Sequence, residues 1–193
     1  LPSGLARAGT MFGADTESVV FERDCEAVLI PIGDRVTITE GTVGALTQAL
    51  GGSFTVYVSG NLYRIGGQDA DAVGKEPVEP PALPEGASDD DVEQVVWDQI
   101  KTCYDPEIPV NIVDLGLIYD CQVEHTPAGR RTVVVKMTLT APGCGMGEIL
   151  VDDVAAKVEL VPTVDKVDVE LVFDPPWEFD MMSEAAKLET GMF

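Results

Sequence analysis

Histidine is almost missing from this chain of 193 residues, with His125 the only one. Chemistry that relies on imidazole as a base therefore has little to draw on. Basic residues are scarce too, 12 against 34 acids, for a formal charge of -22. Binding to nucleic-acid backbones or anionic membranes rests on clustered Lys and Arg, so neither is expected as a partner. The same charge serves solubility and leaves a basic protein partner open. No apolar run approaches the about 20 residues that a membrane-crossing helix needs, and the stretch 1–13 lacks the long apolar core of a signal peptide. The expectation is a soluble, cytoplasmic protein. The chain opens with Leu1 rather than Met, which leaves a removed targeting segment open.

Cysteine is sparse and dispersed. Cys25, Cys103, Cys121 and Cys144 contain no C-x-x-C pair, which argues against a preformed zinc site within one chain and against a disulfide scaffold. There is no Ser/His/Asp set, phosphate-binding glycine loop or H-E-x-x-H, so hydrolase and nucleotide-binding functions lack support. No enzymatic activity is expected. A thiol enzyme would need a base near its cysteine, and His125 is remote from Cys144 in sequence.

What the chain does contain is apolar patterning in two blocks. Hydrophobic residues make up 45% of it, enough for a core. The clearest break is KEPVEPPALPEGASDD, Lys75 to Asp90, where four prolines among acids read as a stiff linker over 75–87. Before it, over 1–74, short β-type runs at Ala27 to Ile32, Arg35 to Thr39, Ser53 to Val58 and Leu62 to Ile65 alternate with glycines. They predict a small, mostly β domain. Ala45 to Leu50 is ambiguous; the glycines around it favour strand or loop over a helical turn.

Over 88–193 the pattern changes. Ser88 with Asp91 forms a capping-box start, and Val92, Val95, Val96, Ile100 and Cys103 recur at helical spacing. Pro106 and Pro109 then force an extended loop. Leu117, Tyr119, Cys121 and Val123 alternate, as do Val133, Val135, Met137 and Leu139, which predicts a β-hairpin. After Pro142-Gly143-Cys144-Gly145-Met146-Gly147, the residues Met146, Leu150, Val154 and Val158 mark a second helix. Val167, Val169, Leu171 and Phe173 mark a third strand, and Ser183 caps a last short helix. The order α-β-β-α-β gives an α+β fold, a three-stranded sheet covered by two helices.

Cys144 stands where a strand gives way to a helix, with glycines on both sides that permit close backbone approach. Unpaired N–H groups of a helix start favour a thiolate, while Glu148, Asp152 and Asp153 oppose one. Cys103 and Cys121 fall on apolar faces and read as core. Cys25 lies in a polar stretch, and His125 lies at a turn. Asp105, Glu107 and Asp114 cluster about two prolines, where carboxylates either orient a metal or partner, or cap backbone N–H groups.

Three strings in order, DPEIPVNIVDLGLIYD (Asp105 to Asp120), TLTAPGCGMGEIL (Thr138 to Leu150) and VELVFDPPWEFDMMSEAA (Val169 to Ala186), resemble the metal-sulfur cluster assembly (PaaD-like) family. RDCEAVLIPIGD (Arg23 to Asp34) and LTQALGGSFTV (Leu46 to Val56) resemble the extra N-terminal domain of its SufT branch. The resemblance implies a bacterial auxiliary factor in iron-sulfur cluster maturation, working with Suf-type assembly machinery and apo iron-sulfur client proteins. It implies that Cys144, Glu107, Asp114 and Thr140 engage the cofactor, and that Cys144 and Cys25 act as metal ligands. The cofactor would be a transient iron-sulfur cluster or iron, with none stably held, because a cluster takes about four ligands and this site offers one thiolate. Transfer would bridge a homo-oligomer, draw on a carrier's cluster or engage a client; the alternative is an adaptor that recruits partners without binding metal. Thr163 departs from the family pattern, standing where relatives often carry Gly.

Overall fold

The structure, a computed structural model, describes residues 16–105, 108–143 and 145–191. The stretch up to residue 15 lies outside the described residues, as do Glu107 and Cys144 among the candidates.

Six short strands form the N-terminal β region: β1 (Glu17–Val20), β2 (Cys25–Ile30), β3 (Arg35–Ile38), β4 (Val43–Leu50), β5 (Ser53–Val58) and β6 (Asn61–Ile65). They make one antiparallel sheet in the order β1-β4-β5-β6-β2-β3. The ambiguous segment 45–50 is strand, because β4 pairs on both sides, with β1 and with β5; two ladders outweigh any local helical preference. β1 carried no signal in the sequence, since three of its four residues are exposed. A 3-10 turn over Gly67–Val73 buries Ala70, Ala72 and Val73. Val19, Phe21, Cys25, Ala27, Val56 and Ile65 fill the core.

The C-terminal region opens with α1 (Asp89–Ile100), whose start is the expected capping box: Asp91 N donates to the Ser88 hydroxyl at 3.2 Å and Ser88 N to Asp91 at 2.8 Å. Val92, Val96 and Ile100 form its fully buried stripe. The hairpin of β7 (Ile118–His125) and β8 (Arg131–Met137) follows, then α2 (Gly147–Glu159) and β9 (Val164–Leu171). β9 pairs with β8 in parallel, giving the order β7-β8-β9, so β8-α2-β9 is a crossover unit. A last helix, α3 (Glu184–Thr190), is capped by the Ser183 hydroxyl and ended by Gly191. The α+β fold is as anticipated.

Two details depart from expectation. The outer end of β9 is not covered: Leu171 and Phe173 are exposed, and Val151, Val169 and Leu171 line a shallow groove with Glu148 and Asp152. The cause is position, for β9 is an edge strand of the sheet. Thr163 has a φ of 72°, the left-handed region that explains a preference for glycine there. Its hydroxyl accepts a 2.7 Å bond from Arg131, whose guanidinium also donates to Asp89 and the Ala87 carbonyl.

Candidate functional site

Ile118 pairs with Met137 and Met137 with Leu171, so the loop before β7, the loop after β8 and the chain after β9 all leave the sheet at one end. Thr138 N donates to the Leu117 carbonyl at 2.8 Å and keeps the first two together. Asp114 and Thr140 therefore belong to the same end as the 141–145 loop that carries Cys144. Cys25 belongs to the other sheet, opposite Ile38.

The loop before β7 is pinned from within. Asp105 accepts from Ile108 N at 3.0 Å, and the Asn111 side chain accepts from Val113 N and Asp114 N while donating to the Asp114 carboxylate at 2.5 Å. The segment after β9 locks it from outside: Trp177 Nε1 donates to the Leu115 carbonyl at 2.7 Å, Ser183 N to the Asp114 carbonyl and Tyr119 Oη to the Pro175 carbonyl. The Asp105 carboxylate thus caps a backbone N–H, and the Asp114 carboxylate orients the Asn111 side chain that holds the next turn. Thr140 is exposed, whereas Thr138, two residues earlier, is fully buried and its hydroxyl is without a hydrogen-bond partner among the described residues. Strand alternation did not flag it, because alternation puts it on the face away from the core.

The described cysteines are held as thiols. Cys25 is 1% exposed, and burial, with the nearby Asp69 charge, pushes its thiol up to about 11. Burial and then Glu93 push Cys121 up to about 12. Cys103 is raised well above its ordinary value by burial and next by Asp153. Cys103 and Cys121 are core residues, as expected, and Cys25 is buried despite its polar neighbours. Among the described residues, no group of three or more His, Cys, Asp or Glu is arranged to hold a metal ion.

Sequence reasoning missed the joint between the two regions. α2 carries a second stripe besides its core face: Ile149, Asp153, Ala156 and Leu160 turn toward the N-terminal sheet. Asp153 and Lys157 are almost fully enclosed, and Asp153 accepts from Arg64 of β6 at 2.8 Å with Lys157 3.4 Å away. Lys157 donates to the carbonyls of Gly51 at 2.9 Å and Thr102 at 2.6 Å, one from each region. Gly51, at φ 61°, approaches so closely that a Cβ there would collide with the Thr102 carbonyl. Asp153 is thus ion-paired to a cation from each region, Arg64 and Lys157. Helical spacing in 149–160 was the available signal, but a charged residue within the stripe hid it.

The sequence profile of the iron-sulfur cluster assembly proteins matches residues 93–171. A curated "Fe-S protein maturation auxiliary factor" from Porphyromonas gingivalis is 48% identical over 99 residues, 51% of this chain and 90% of that protein. The chain belongs to the iron-sulfur cluster assembly protein family. "Fe-S protein maturation auxiliary factor SufT" from Staphylococcus aureus is 39% identical over 88 residues, 46% of this chain and 96% of that protein. A solved domain of unknown function from Bacillus anthracis is 36% identical, with a TM-score of 0.46, covering 54% of this chain and 96% of its own. Such matches leave about half of this chain over, and the family profile begins only within α1. Among the described residues, no helix is long and apolar enough to cross a membrane.

Proposed function

We propose that this protein is an auxiliary factor of iron-sulfur cluster maturation that passes a cluster to recipient proteins through Cys144 and keeps none for itself. Family membership supports the process, and the named relatives are described as auxiliary maturation factors rather than enzymes. The step through Cys144 rests on counting ligands. A cluster is normally held by about four thiolates or equivalents, and Cys25, Cys103 and Cys121 sit in cores with their thiols held protonated. Those three cysteines are buried, so the transfer is assigned to Cys144 alone, although Cys25 was a candidate by resemblance. The remaining ligands come from the other party: a Suf-type carrier, an apo client or a second copy of this chain.

Glu107, Asp114 and Thr140 are assigned the supporting part, lining the approach beside Cys144 while the cluster is shared. The cluster is cargo here, not a resident cofactor. Anaerobic reconstitution of wild type and Cys144→Ala, followed by mixing with an apo iron-sulfur enzyme, tests the assignment. Wild type should retain iron and sulfide transiently and activate the enzyme, and Cys144→Ala should do neither. Equal retention and transfer by both would overturn it in favour of the adaptor reading.

A further inference from the structure

The β2–β3 turn, residues 31–34, extends to the start of α2. The Pro31 carbonyl lies where a Cβ on Gly145 would meet it at 3.3 Å, and Gly33 stands 3.9 Å, measured the same way, from the Glu148 carboxylate. Gly145 directly follows Cys144. Ile32, at the tip, is 63% exposed, so the turn projects beyond the contact it makes. The family relatives use up nine-tenths or more of their own length in matching about half of this chain. They lack room for this N-terminal sheet, and their α2 face stands uncovered by it.

The joint that seats the turn is sparsely filled. Clefts of about 690 Å³ and 270 Å³ run along it, the larger lined by Gly51, Val78, Gln99 and Lys157, the smaller by Arg35, Arg64 and Asp152. The apolar cores of the two regions are separate clusters, and Arg64, Asp153 and Lys157 supply bonds that cross between them. A buried ion pair of this kind is weak as glue but strict as a register device: removing one partner strands the other in a poor solvent.

We infer that the N-terminal sheet is a selectivity wall beside the Cys144 loop, with Ile32 as its specificity-determining tip and Arg64 as the positioning residue that fixes it. The inference rests on the transfer role of that loop. A small reactant reaches the loop past the wall, whereas a macromolecular partner must have a surface that accommodates the projecting turn. Partners that suit the shorter relatives would therefore clash here unless they leave space for it.

Native-state alkylation of the full chain tests this, because the described cysteines are buried and peptide-resolved mass spectrometry isolates Cys144. Iodoacetamide serves as the small probe and a polymer-bearing maleimide as the bulky one. Arg64→Met should raise the bulky rate by at least about tenfold, as expected when a buried pair loses one member, with little change for iodoacetamide. Arg64→Lys should restore the wild-type ratio. Ile32→Ala, which trims an exposed tip and leaves the ion cluster intact, should raise the bulky rate by about threefold, less than losing the seat, since it alters only one side chain. An unchanged ratio in both Arg64→Met and Ile32→Ala would overturn the wall, as would equal acceleration of both probes. No iron enters this assay. A changed ratio beside cluster retention by Cys144→Ala would overturn the transfer role and keep the wall.

Discussion

The two regions solve burial differently. The N-terminal sheet is six-stranded and antiparallel; its apolar interior is closed by a 3-10 turn and contains small and medium side chains, with Phe21 the largest fully buried one among the described residues. The C-terminal sheet has half as many strands, three against six, yet supports the larger core by packing α1 and α2 against it, with Ile100, Ile112, Leu115, Leu117, Met137 and Leu150 fully enclosed. The first region presents several short backbone ladders, and the second presents two longer ones with loops held at one sheet end. Pinned loops on a rigid scaffold are where chemistry is commonly placed. The comparison teaches that the C-terminal region carries the candidate site while the N-terminal region sets what lies next to it.

That division is broken most directly at Asp153. Asp153→Leu leaves Arg64 buried without its carboxylate and should cost about 3–5 kcal/mol. Both tryptophans, Trp97 and Trp177, lie in the C-terminal region, so fluorescence reports that region and far-UV circular dichroism reports both. Their urea transitions should coincide in wild type and separate in this variant; continued coincidence would mean that the ion cluster does not couple the regions.

The close approach at Gly51 comes next. Gly51→Ala combines a left-handed backbone with a collision at Thr102 and should cost about 2 kcal/mol or more. Gly129→Ala has a similar φ, 73°, in open space and should cost about 1 kcal/mol, the backbone cost alone. Equal losses would show that the joint yields freely.

Ser88→Ala sharpens the comparison within one region. It removes the hydroxyl that caps α1 and should lower stability by about 1 kcal/mol, with the loss read by tryptophan fluorescence. Much of the C-terminal fold was legible in this way: Ser88 and Asp91, the alternation at 133–139 and the stripe at 146–158 are local patterns that the folded chain keeps. What escaped notice was non-local. β1 is held by pairing with β4 rather than by its own composition, and the partnership of Arg64 with Asp153 spans 89 residues. At the candidate site the resemblance named Asp114 and Thr140, which lie at one sheet end, but the burial of Cys25 and the unpaired Thr138 hydroxyl depend on what packs over them.

A separate effect, confined to one region, is alkaline. The folded Cys25 thiol is raised from 9.0 to about 11, so the unfolded chain loses that proton first. Its contribution is fully present below pH 9.0 and fades as pH rises toward 11. Cys25→Ala should flatten the fall of stability over that window, measured by urea melts at successive pH values. An unchanged slope would mean that Cys25 ionises as readily folded as unfolded.

The parallel pairing of β8 with β9 has a consequence for synthesis. Most N-terminal ladders join strands close in sequence, such as β2 with β3 and β4 with β5, and local pairings form early. The β8–β9 ladder cannot close until the residues through Leu171 have left the ribosome. The sheet that emerges first is then already complete, offering Arg64 and the Gly51 carbonyl to α2 as it arrives. The nascent chain would thereby acquire the neighbour of its cysteine loop before it has finished building the loop's own sheet.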